Sequence, residues 1–260
     1  MSKQNISSAQ EYFVSDLNNP VAVAANGKKG IPVTFYTQVS LGSPGVGVAD
    51  YLVKAATSTE LPNAGTKTYT PATDNTSPLD GAAAAPSTIF MDGADRLVWV
   101  LDVPRALTGV MTHGSSVVAS TVVVSGYDMY MQPMSELMTF TAGTTSKTVA
   151  GKKAFKYVST IAIYSASDST ANTLNLGTNE VLGLPYALSA KADFLHSGTY
   201  FNDTYESTAA TVVKADATSP ATTSTGDVRG TVDLNSTLDG SAVVVLYRAN
   251  KTTPLGVAQV

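Results

Sequence analysis

The chain has 260 residues, of which 43% are hydrophobic and only 14% charged, with a net charge of −4 and no cysteine. The missing cysteines exclude disulfides, thiolate zinc sites and cysteine nucleophiles. Lys and Arg cluster no further than the pairs Lys28/Lys29 and Lys152/Lys153, so there is no basic footprint for nucleic acid. Thr occurs 34 times, and its branched Cβ suits a pleated, half-exposed strand. The composition predicts an all-β protein long enough for a real core.

In chain order, residues 1–30 read as an N-terminal arm. Ser8 to Glu11 (SAQE) fits a capping box, which predicts a short helix over AQEYFVSDL, and Tyr12 and Phe13 are the arm's aromatic pair. MSKQNISSAQEYF lacks the apolar core of a signal peptide. No stretch of the chain approaches the ~20 apolar residues of a membrane-spanning helix. Residues 31–86 start with the strand-like IPVTFYTQVS (31–40). LGSPGVGVADYLVKAA then reads either as a loop or as one short helix. The stretch 56–88, broken by Pro62, Pro71, Pro78 and Pro86, is nearly free of core residues and predicts a long surface loop.

From residue 87 to 260 the rhythm changes. TIFM, RLVWVLDV, ASTVVVSGY, ELMTFTA, KAFKYVSTIAIYSA, EVLGLPYAL, TVVKA and SAVVVLYR are short β-rich runs divided by Gly, Asp, Asn, Pro and Ser. That cadence predicts a sandwich or jelly-roll-like domain. RLVWVLDV (96–103) and SAVVVLYR (241–248) are apolar on both faces, as central strands are. MDGAD (91–95) reads as a turn.

Signals for catalysis are weak. His113 precedes Ser115 and Ser116, and His196 lies between Asp193 and Asp203, but no G-x-S-x-G elbow accompanies them. FNDTYE (201–206) offers Asn202, Asp203 and Glu206 to a hard cation, though without the spacing of a calcium loop. LGSPGVGVAD has neither dinucleotide nor P-loop spacing. The single tryptophan, Trp99, falls in the most core-like strand, unlike the exposed tryptophans of sugar-processing clefts. These patterns predict a non-enzymatic protein with no cofactor and no metal.

One stretch has more apolar surface than a turn needs. GYDMYMQPMSELMTF (126–140) places Tyr127, Met129, Tyr130, Met131 and Met134 between two strand-like runs, where small polar residues are usual. Two readings stand. The residues form a contact surface for another chain, or the hairpin folds back and buries them within its own domain.

DVPRALTGVMT (102–112), VVVSGYDMYMQPMSELMTFTAGTT (122–145) and VAGKKAFKYVSTIAI (149–163) together resemble virion structural proteins of tailed bacteriophages. The shared pattern is a VPR strand, then G-x-D-x-Y-G-x-P-x-x-E, then G-x-K-A-F-K-x-V-x-x-I. NEVLGLPYAL (179–188) and TGDVRGTVDLNSTLDGSAVVVLYR (225–248) resemble the closing part of the same proteins. Met131 stands where the pattern has Gly.

The resemblance covers roughly residues 95 to 250. It implies a capsid decoration or cement protein, made in the host cytoplasm and carried on the virion. Its implied partners are the major capsid protein and further copies of itself, with a homotrimer expected. The candidate interface is Tyr127, Met129, Tyr130, Met131 and Met134, with Tyr12 and Phe13 of the arm. The alternative is a tail, neck or fibre component with a receptor- or carbohydrate-binding β module.

Overall fold

A computed structural model describes residues 21–23, 29–32, 36–56, 63–71, 88–91, 96–113, 116–168 and 172–259. The expected helix over AQEYFVSDL, with Tyr12 and Phe13, lies outside these residues. So do residues 92–95 of the MDGAD turn and most of the 56–88 stretch.

Among the described residues there are seventeen strands: β1 Val21–Val23, β2 Lys29–Pro32, β3 Thr37–Gly42, β4 Val53–Ala56, β5 Asn63–Tyr69, β6 Thr88–Met91, β7 Arg96–His113, β8 Ser120–Tyr127, β9 Pro133–Phe140, β10 Lys147–Ala150, β11 Phe155–Asp168, β12 Asn172–Gly183, β13 Phe194–Phe201, β14 Thr204–Tyr205, β15 Thr211–Lys214, β16 Gly230–Asp233 and β17 Val243–Tyr247. Among the described residues the one helical element is a 3-10 turn, Lys191–Asp193. The protein is all-β, and its curled antiparallel sheets form a half-barrel of the sandwich type.

The main sheet runs β15-β16-β12-β7-β11-β8-β9, with β6 and β10 also on β7, β4 on β12 and β5 on β11. β7 is its spine. Its first half pairs with β6 and β11, and its second half with β12 and β10. The change of partner has a local cause. Pro104 has no N–H to give a ladder, and the β7–β11 register jumps between Val100 and Arg105. Such irregularities bend a strand, and this one lets a single 18-residue strand serve both halves of the curl.

Side chains fill two cores. Inside the curl, Trp99, Leu101, Leu107 and Met111 of β7 meet Val122 and Val124 of β8, Met134, Met138 and Phe140 of β9, and Leu174 and Leu176 of β12. At the other end, Leu182 and Val232 of the main sheet face Val39, Val243, Val245 and Tyr247. These last four belong to a second sheet ordered β14-β13-β17-β3. β17 lies between β13 and β3, and its burial alternates, with Val244 and Leu246 half-buried. A third, two-stranded sheet joins β1 and β2.

The segment read as a loop over 56–88 includes strand β5, which pairs with β11 from Tyr69↔Ile161 to Asn63↔Asp168. The ambiguous LGSPGVGVADYLVKAA resolves into a loop and strand β4, with Leu52 and Val53 fully buried.

Candidate functional site

The β8–β9 ladder ends at the pair Tyr127↔Pro133, leaving Asp128 to Gln132 as the turn. Asp128 organises it. Its Oδ1 accepts from the backbone N–H groups of Tyr130 (2.8 Å) and Gln132 (2.9 Å), and its carbonyl accepts from Met131 N–H at 3.1 Å. An aspartate at the head of a turn commonly does this. Met131 takes φ 63°, in the left-handed region that favours glycine.

Behind the turn is a buried ion pair. Arg229 Nη1 donates to Asp128 Oδ2 at 2.7 Å, with the two side chains 2% and 0% exposed. Arg229 Nε donates to the Leu184 carbonyl at 3.1 Å, and its guanidinium lies 5.3 Å from the Tyr130 ring centre. The Tyr130 hydroxyl donates to the Pro185 carbonyl at 2.9 Å. Burial raises the Tyr130 pKa, with Tyr186 and Asp128 adding to the shift and Arg229 opposing it. Gly126, one turn of the ladder earlier, is obligatory, because a Cβ there would collide with the Tyr157 carbonyl.

Other polar residues of the motifs read in the sequence are also built into the scaffold. Arg105 of VPR donates to the carbonyls of Asn179 (2.8 Å) and Gly45 (3.0 Å) and pairs with Asp102. Lys153 of GKKAFK is fully buried and donates to the Thr222 carbonyl at 2.6 Å. Asp227 of GDVRG accepts from the N–H groups of Arg229, Gly230 and Ala154. Its carboxyl is raised by burial, against the pull of Arg229 and those donors.

Glu136 accepts from the Lys152 N–H, while its Oε2 is buried with no hydrogen-bond partner. Burial raises its pKa to about 7 despite the Lys152 and Lys153 backbone donors and the Lys153 charge. Burial likewise lowers the Lys153 pKa, opposed by Glu136, Asp227 and Asp216.

The candidate interface therefore divides. Met134 is 2% exposed and packs in the core with Phe140 and Met138, which corrects its assignment to a contact surface: it falls on the inward face of β9. Tyr127, Met129 and Tyr130 are half-buried. Met131 is 42% exposed at the tip.

The two histidines lie in different sheets. His113 ends β7 in the main sheet and accepts from the Ser116 N–H at Nδ1 (2.8 Å), whereas His196 belongs to β13 in the second sheet. Asp193 pairs with Arg248. Among the described residues no three His, Asp or Glu side chains form a metal-binding group. Trp99 is fully buried.

FNDTYE forms the β13–β14 hairpin. Asn202 and Asp203 take the left-handed turn conformation at φ 50° and 58°, between paired Phe201 and Thr204. Beside it opens a cleft of about 370 Å³ lined by Phe201, Asn202, Thr204, Tyr205, Glu206, Ser207, Thr208, Asn235 and Ser236. Asp203 is not among the lining residues. Sequence reasoning flagged Asn202 and Glu206 but missed Asn235 and Ser236, which come from the loop after β16.

No protein-family model matches the chain, and neither a curated protein nor a solved structure shows significant similarity to it. Its class rests on its own geometry: an all-β half-barrel whose motif residues are held in a buried polar network.

Proposed function

We propose that this protein is a non-enzymatic virion component that binds the exterior of a phage capsid and stabilises the head lattice. The observation that carries this reading is a low-charge apolar face around the β8–β9 hairpin tip. Tyr130 binds the Pro185 carbonyl, and Ala187 N–H bonds the Pro254 carbonyl at 2.7 Å, so the hairpin tip, residues 185–187 and residues 254–255 are neighbours. Met131 (42%), Tyr186 (38%) and Leu255 (51%) are all exposed there. An adjoining groove is lined by Ala187, Val213, Val228 and Val257, with the charged Lys214 and Asp216 also on its wall.

Tyr and Met suit such a face, since Tyr presents area at low entropic cost and Met adapts to irregular neighbours. The motif resemblance supports the same reading: its polar residues build a rigid platform and leave the apolar tips outward. A capsid partner and assembly as a trimer at a symmetry axis belong to the proposal. Quantitative mass spectrometry of purified particles of the encoding phage tests it. Hundreds of copies per particle, in simple ratio to the major capsid protein, are expected. A dozen or fewer would place the chain in the tail or neck, and absence from the particle would refute the proposal.

A further inference from the structure

The cleft beside the β13–β14 hairpin has a chemical character unlike the hairpin face. Tyr205 is 43% exposed, and its ring is set edge-on to Tyr200 with centres 6.0 Å apart, so an aromatic ring is held in place at the cleft. Around it are the amides of Asn202 and Asn235 and the hydroxyls of Ser207, Thr208 and Ser236. Glu206, 8% exposed, accepts the Ser236 N–H at Oε1 (2.9 Å), while its Oε2 is buried without a hydrogen-bond partner. A buried acceptor left without a donor is unfavourable.

Elimination narrows the ligand. Among the described residues no Lys or Arg lines the cleft, so phosphate, sulfate and carboxylate ligands find no counter-charge there. A single carboxylate is too little for a calcium ion, which takes roughly 6–8 oxygen ligands. Polar side chains outnumber apolar ones, which disfavours a lipid or an apolar peptide. A pyranose fits the remainder. Its C–H face packs on an aromatic ring, and its hydroxyls both donate and accept at amides and hydroxyls. The volume lies within the ~300–1,000 Å³ typical of small-molecule pockets.

We propose that this cleft binds one neutral hexopyranose unit of a glycan, with Tyr205 as the stacking ring and Asn202, Asn235 and Ser207 as its polar partners. The assignment rests on the cleft alone and is independent of the capsid reading.

Amide NMR titration of the full chain with methyl β-glucoside, methyl β-galactoside and N-acetylglucosamine, each in turn, tests it. Saturable shifts centred on Tyr205, Ser207 and Asn235 are expected with at least one sugar. Tyr205→Ala should weaken that binding about tenfold, the equivalent of one good aromatic contact, while Tyr205→Phe retains most of it. Asn235→Ala, at an exposed position, gives a second reading if the first variant fails to fold. No saturable shift with any of the three sugars would overturn the proposal. Binding unchanged in both alanine variants, or a preference for N-acetylneuraminic acid over the neutral sugars, would overturn it too.

Discussion

The two hairpin tips solve the same backbone problem in opposite ways. Both place non-glycine residues in the left-handed region, Met131 in one and Asn202 and Asp203 in the other. The β8–β9 tip is tied to the body by a buried ion pair and a tyrosine hydroxyl, so its polar atoms are used internally and its apolar tip faces out. At the β13–β14 tip, Asn-Asp adopts a turn conformation that such residues tolerate, and its polar groups remain around an open cleft. Where a turn spends its hydrogen bonds thus decides which chemistry it presents. The first suits a protein surface and the second a polyhydroxylated ligand.

The sharpest way to break this contrast is to cut the tie. Asp128→Ala leaves Arg229 charged, buried and unpaired, and should lower the unfolding free energy by ~3–5 kcal/mol in urea titrations. The Asp128→Ala/Arg229→Met pair should recover part of that loss. A loss in the double variant equal to the sum of the Asp128→Ala and Arg229→Met losses would mean that the pair does not couple.

A smaller effect is expected from Glu136, behind the same hairpin. Its folded pKa of about 7 lies above its ordinary 4.5, so folding favours the protonated acid. That contribution is complete below pH 4.5 and is lost as pH rises through 7, up to ~3 kcal/mol for a shift of this size. Glu136→Gln should flatten the fall in stability across that window. Lys153, held low by burial, acts in the other direction, adding stability as pH rises beyond its own folded pKa. An identical pH profile for wild type and variant, measured by thermal melts, would remove Glu136 as the cause.

Smallest of all is Met131→Gly. Relief of a left-handed methionine, ~1–2 kcal/mol, is partly offset by the entropy of glycine, so a net gain of roughly 0.5–1 kcal/mol is expected in the same melts. A loss of stability would show that the methionine side chain packs more than its exposure indicates.

Much of the fold was legible in the sequence because its central strands are apolar or β-branched: β7, β8, β11 and β17 all coincide with runs that the residue pattern picks out. β5 and β10 were not legible. NAGTKTY and KTVA have little apolar character, and as partners laid on β11 and β7 they bury no continuous face of their own. The polar network was legible only as a set of motif letters. That Asp128 meets Arg229, 101 residues away, depends on tertiary packing that no local pattern encodes. For the same reason Met134 looked like part of a surface and proved to be core, since only the register of β9 assigns its face. The cleft needed Asn235 and Ser236 from a loop some 30 residues beyond FNDTYE.

Capsid attachment of the Met131→Ser/Tyr186→Ser variant tests the central claim most directly. Both residues are exposed, so the melting temperature should stay near that of wild type. Co-sedimentation with purified capsids should show wild-type protein saturating at a fixed ratio to the major capsid protein, and the variant binding at least about tenfold more weakly. Saturation of both proteins at the same ratio and the same concentration would contradict the assignment of the hairpin face as the contact surface.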